Sequence, residues 1–166
     1  MSSKHPLHVP TAVALALTLL TAALPPAAAG TVEVNWLQPE RYSDAGRTDG
    51  ERERTIKSLG DAFAQLGRLL PDGQTLKLEV LDVDLAGEIE PHPRQDMRIV
   101  RGGADWPRMT LRYTLQEGSR TLKSGEARLA DMDYQFGVPP VNLREDELRY
   151  ERRMIEHWFG QNFGAN

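Results

Sequence analysis

The stretch that most constrains the fold runs from Leu76 to His92, Leu-Lys-Leu-Glu-Val-Leu-Asp-Val-Asp-Leu-Ala-Gly-Glu-Ile-Glu-Pro-His. Apolar and polar residues alternate along it with the period of a half-buried strand, but the phase changes part way. Leu76, Leu78 and Val80 share one face, whereas Leu81, Val83 and Leu85 fall on the other. A β-bulge at Val80-Leu81 restores one continuous buried face and sends both Asp82 and Asp84 to solvent. The competing arrangement is a strand covered on both sides at its end, as in α/β proteins. The bulge is favoured because it spares two carboxylates from burial. Core and acidic side chains therefore meet in this one segment.

The flanking segments supply what such a strand needs to pair and pack. Thr31 to Leu37 reads as an earlier strand, with Val32, Val34 and Trp36 on one face. Thr48 and Glu51 have capping-box spacing, and Ile56, Leu59, Phe63, Leu66 and Leu70 then form one stripe of an amphipathic helix, ended by Pro71-Asp72-Gly73. This strand, helix, strand order favours a right-handed crossover with the two strands parallel. Met109, Leu111, Tyr113 and Leu115 alternate with Arg108, Thr110, Arg112 and Thr114, and Arg120 to Ala130 returns as a hairpin partner, with Gly125 marking a second bulge. Gly87 to Pro107 is irregular, with a short strand expected at Arg98 to Arg101. Asn142 and Glu145 repeat the capping-box spacing before a terminal helix whose buried face is Leu148, Ile155, Phe159 and Phe163, flanked by Met154 and Trp158. The expected architecture is α+β, a mixed, mostly antiparallel sheet of four or five strands with two helices packed on one face and the other face wet.

The first 29 residues carry a different signal. Lys4 is the one charge before an apolar run from Thr11 to Leu24, and Pro25-Pro26 and Ala27-Ala28-Ala29 follow. That is the order of a secretory signal peptide, with cleavage expected after Ala29. The run is shorter than the about 20 apolar residues of a membrane span. Residues 30–166 are then expected to form a single soluble domain in the periplasm, without a transmembrane anchor. The chain carries 20 Lys and Arg against 24 Asp and Glu, a net charge of −4. Nucleic-acid binding is disfavoured, since that affinity comes from neutralising phosphates. The absence of cysteine removes disulfides, thiolate metal sites, a cysteine nucleophile and a lipidated N-terminal cysteine.

Four segments carry a resemblance: Val-Leu-Asp-Val-Asp-Leu-Ala-Gly-Glu (80–88), Ala-Asp-Trp-Pro-Arg-Met-Thr-Leu-Arg-Tyr (104–113), Leu-Ala-Asp-Met-Asp-Tyr (129–134) and Tyr-Glu-Arg-Arg-Met-Ile-Glu-His-Trp-Phe (150–159). With Pro-Glu-Arg-Tyr at 39–42, they resemble an exported family of Gram-negative bacteria catalogued as domain of unknown function 3016. The resemblance covers nearly all of Thr31 to Phe163 and implies an envelope setting. It implies no activity, cofactor or catalytic residue.

Three constellations are candidates for function. The first is the acidic series Asp82, Asp84, Glu88 and Glu90 with His92, whose oxygen donors suit Ca²⁺ or Mg²⁺ and whose histidine tilts the choice toward a transition metal. Asp82 to Gly87 begins like an EF-hand loop, but Ala86 takes the fifth place and Pro93 the twelfth. A solvated strand edge is the competing reading. The second is the basic hairpin: Arg108 and Arg112 on the polar face, with Lys123 or Arg128 opposite, form an anion-binding surface for lipid headgroups or an acidic envelope partner. A solvated sheet face balanced by the protein's own acids is the favoured reading of the same residues. The third is aromatic, Trp106 and Trp158 as a partner-binding patch or as core. No Gly-x-Ser-x-Gly, His-Glu-x-x-His or phosphate loop occurs. The reading therefore leans toward a non-enzymatic periplasmic binding or accessory module of the cell envelope that needs no cofactor. The alternative is a divalent-cation-binding protein or a carboxylate-dependent hydrolase.

Overall fold

The structure, a computed structural model, describes residues 29–94, 96–136 and 146–164. Residues 1–28 of the expected signal peptide and the Asn142/Glu145 capping box lie outside the described residues. The chain order is β1 (Thr31–Trp36), a 3-10 turn (Pro39–Arg41), α1 (Asp49–Gly67), β2 (Gln74–Asp84), β3 (Glu88–Glu90), β4 (Met97–Ile99), β5 (Arg108–Glu117), β6 (Arg120–Ala130) and α2 (Arg149–Phe163). A four-stranded sheet has the order β1-β2-β5-β6, and β3 and β4 form a separate ribbon. β1 and β2 are parallel across the α1 crossover, and the remaining pairs are antiparallel. The fold is thus α+β with a mostly antiparallel sheet, as the alternation predicts.

The bulge falls where the phase change places it. Val80 pairs with Leu111 and Asp82 with Thr110, leaving Leu81 as the extra residue. Leu76, Leu78, Val80, Val83 and Leu85 are consequently all buried, while Leu81 is only half-buried. Met109, Leu111 and Leu115 of β5 and Leu129 of β6 continue this face, and α1 covers it with Leu59, Phe63 and Leu66. Met154, Ile155 and Phe159 of α2 complete the same core. Both helices therefore pack on one face of the sheet.

Helix α1 begins as its sequence dictates. Thr48 Oγ1 accepts from Glu51 N at 3.2 Å and Glu51 Oε2 accepts from Thr48 N at 3.1 Å, with Arg47 N donating to the same carboxylate. These N–H groups hold the Glu51 carboxyl below its ordinary range. α2 begins later than its capping-box spacing suggests: Leu148 is its N-cap, without a side-chain cap, and Asp146 accepts from Leu148 N at 2.8 Å. Among the described residues no helix is long and apolar enough to cross a membrane.

Two further expectations are corrected. The short strand after β3 spans Met97–Ile99 and pairs with Glu88–Glu90, one residue earlier than expected and ending sooner. The irregularity in β6 is at Leu122, skipped between Lys123 and Thr121 in the pairing with β5, and Gly125 pairs regularly with Tyr113. Glycine is needed there for space rather than for a bulge. A Cβ at 125 would lie 2.9 Å from the Tyr113 hydroxyl and 3.1 Å from Cζ. Tyr113 is itself held edge-on by Trp158 and Phe163, at centroid distances of 5.9 and 5.6 Å. Gly125→Val is expected to destabilise the protein by about 1–3 kcal/mol through overpacking, measured by thermal or chemical denaturation. Adding Tyr113→Ala to that variant should remove most of the added cost.

Candidate functional site

The bulge in β2 acts on both neighbouring strands, and the candidate site lies where they are re-phased. β1 leaves the sheet after Leu37 N donates to Val80 O, and Ser43 to Ala45 return beside the end of β2, where Asp44 N donates to Val83 O and Leu85 N donates to Asp44 O. Between these points the chain detours through Gln38, the only non-glycine residue with positive φ among those described. Left-handed backbone at such a residue costs about 1–2 kcal/mol, and three contacts hold it: Tyr42 donates to Val80 O at 2.9 Å, and Ser43 donates to Asp82 through N at 2.7 Å and through Oγ at 2.8 Å. Burial and the nearby acids push the Tyr42 hydroxyl up to about 12.

The detour walls an open cleft of about 420 Å³ together with the start of α1 and the β2–β3 junction. Its charged lining is Glu40, Asp44, Arg47, Arg52, Asp84 and Glu88. Most of these charges are already paired. Asp44 lies 2.8 Å from Arg98, Asp84 lies 2.7 Å from Arg108, and Arg47 pairs with Asp96. Asp84 is raised above the ordinary aspartate range because burial outweighs Arg108 beside it.

The acidic series of the sequence is thereby dispersed. Asp82 and Asp84 are half-buried and bonded rather than free in solvent, because the detour of β1 comes back over them. Glu88 and Glu90 both face Arg101, and His92 is exposed beyond β3. Among the described residues no group of three or more His, Asp or Glu side chains is arranged to hold a metal ion.

The basic hairpin residues divide between the two faces of the sheet. Arg108, Arg112 and Arg128 lie on the wet face, where Arg112 stands 3.6 Å from both Glu79 and Glu126. Arg108 stacks over the Trp106 ring at 4.7 Å. Lys123 is on the helix face instead, because the skipped Leu122 sets it opposite Leu115. There its Nζ donates to Asn162 O and Oδ1 at 3.2 and 3.1 Å near the end of α2, where a cation complements the helix dipole. Trp158 is half-buried against Tyr113 and Phe163, an edge of the core.

Two residues that sequence reasoning passed over organise the floor beneath the cleft. Glu151 of α2 is 2% exposed, and its Oε1 accepts from Ala86 N at 2.7 Å. Its Oε2 has no partner among the described residues. Arg98 donates to the carbonyls of Ala86 and Gly87 at 3.3 and 3.2 Å while pairing with Asp44. Strand β4, the β2–β3 turn and the detour are thus joined by one guanidinium, and α2 joins them through one carboxylate. The available signal for Glu151 was its place in the apolar stripe, three residues after Leu148 and four before Ile155. Arg98 left none, since its contacts depend on the ribbon forming.

Burial pushes the Glu151 carboxyl up, against the lowering effects of Ala86 N–H and Arg98. A carboxyl raised in the folded state binds its proton more tightly there than in the unfolded chain. Its contribution to stability is therefore present at low pH and lost as pH rises from about 4.5 through the raised value. Glu151→Gln is expected to flatten this decline, so that its Tm gains on the native protein as pH increases from 4.5 to 8. Glu151→Ala, which strands Ala86 N–H, should lose about 1–3 kcal/mol. Denaturation across that pH range measures both.

No curated protein and no solved structure matches this chain. The family described as "Protein of unknown function (DUF3016)" matches residues 30–161, which include every strand among the described residues, both sides of the cleft and the Glu151 and Arg98 contacts, and the chain belongs to that family.

Proposed function

We propose that the protein is a non-enzymatic binding or accessory module of the cell envelope, exported to the periplasm by the N-terminal segment that reads as a signal peptide. The observation that carries this reading is the state of the carboxylates. A hydrolase or cation site needs them to converge, and here Asp44, Asp82, Asp84 and Glu90 are each committed to an arginine or to the detour itself, while Glu88 stays exposed with Arg101 3.8 Å away. Acids bonded in this way build the fold. What remains presented is an open cleft, with Glu40 and Glu88 exposed at its rim and Arg47 exposed beside them. Such a surface suits a polar segment of an envelope protein better than a small substrate, which is usually enclosed in a largely apolar pocket.

Photo-crosslinking in a Gram-negative host, with a photoreactive residue placed at Glu40, Glu88 or the exposed Arg68 at the far end of α1, tests this. The expected result is a discrete adduct in the periplasmic fraction from the two cleft positions and none from Arg68. Retention of the protein in the cytoplasm, or equal labelling from all three positions, would overturn the reading.

A further inference from the structure

Among the described residues the last strand of the sheet has a free side. β6 is 11 residues long and lies at the end of the order β1-β2-β5-β6. Among the described residues nothing pairs with its outer edge, and Arg120 through Glu126 are exposed. An open edge of this length is a template for another strand unless it is blunted. The irregularity at Leu122 and the charged Arg120 and Lys123 blunt its first half, whereas the two charges of the second half, Glu126 and Arg128, are of opposite sign. From Ser124 to Ala130 the strand runs in unbroken register with Thr114 to Arg108, so this half is regular enough to accept a partner.

We propose that this edge pairs with β6 of a second copy of the chain, antiparallel, about a two-fold axis at Ala127. The charge pattern selects both the occupant and the register. Around Ala127, Glu126 of each copy faces Arg128 of the other, so two unlike pairs form on the wet face. The neighbouring registers lack this match. An axis at Glu126 or at Arg128 sets each of those charges against its own copy. An axis at Ser124 opposes Arg120 to Arg128, and one at Gly125 draws the irregular Leu122 into the ladder. Directly opposed unlike charges favour a strand pair and like charges disfavour it. On the helix face the same axis opposes Ala127 to Ala127 and Gly125 to Leu129, which leaves room for close approach. A two-fold axis perpendicular to the sheet keeps all four helices on one side, giving an eight-stranded sheet with an isologous interface. This inference is independent of the cleft.

The chain has no cysteine, so a single introduced thiol reports the register without background. The protein is recovered after export from its full-length gene, and the Ala127→Cys and Ser124→Cys variants are oxidised mildly at micromolar concentration. At the axis the two Cα atoms are about 4.5 or 5.5 Å apart, within disulfide reach. The two copies of residue 124 are separated by six residues of strand, about 20 Å. Ala127→Cys should become a covalent dimer and Ser124→Cys should not. Sedimentation of cysteine-free variants gives a second readout. Glu126→Arg and Arg128→Glu alone should each weaken the dimer about tenfold through two like-charge oppositions, whereas an equimolar mixture of the two should re-associate. A monomer under all conditions, equal cross-linking at 124 and 127, pairing of β6 with a different envelope protein instead, or no rescue on mixing would overturn the proposal.

Discussion

One extra residue in a central strand governs most of this structure. Leu81 shifts the register of β2 against β5, and that shift lets Val83 and Leu85 join the core face begun by Leu76. Without it, either the second half of the strand would bury Asp82 and Asp84 or the leucines would face water, and a one-residue slip of this kind moves every following side chain. The other neighbour, β1, must accommodate the same displacement. It does so by leaving the sheet at Leu37 and returning at Asp44, and the detour becomes one wall of the cleft. A local solution to a packing problem thus determines where the protein has a concave surface.

The parts of the fold that follow from periodicity were legible in the sequence. The alternation in β2 and β5, the apolar stripe of α1 and the Thr48–Glu51 box each report a local physical demand, and each is met. Assignments that needed knowledge of a neighbour were less accurate. Gly125 reads as a bulge because a glycine weakens a strand, yet the reason for it is a tyrosine ring supplied by β5. The charged residues were harder still. Their formal charges suggested a metal or anion site, whereas their partners come from segments 11 to 65 residues away, as Asp84 with Arg108, Glu90 with Arg101 and Ala86 with Glu151 show. A sequence records that a carboxylate exists and leaves open which cation will face it.

Glu151 illustrates how such a group is retained. Burying a carboxylate is unfavourable unless it is bonded or protonated, and this one answers a specific need at the turn after β2. Ala86 is 3% exposed, and its N–H would otherwise face the core without an acceptor. The raised pKa of Glu151 and the paired backbone group are two sides of one arrangement. It ties the terminal helix to the cleft, so any strain at the β2–β3 turn is shared with α2 and through Arg152 with α1, where Ser58 accepts from the guanidinium.

The parallel pairing of β1 has a kinetic meaning. β5 and β6 are joined by a two-residue turn and meet early, whereas Thr31 must find Thr75 across the whole of α1, a closure whose entropy is spent before any contact rewards it. β1 and the segment returning at Asp44 are therefore expected to be the last part of the sheet to assemble and the first to release. The wall of the cleft belongs to that unit, so on this expectation the concave face arises only once the hairpin core has formed.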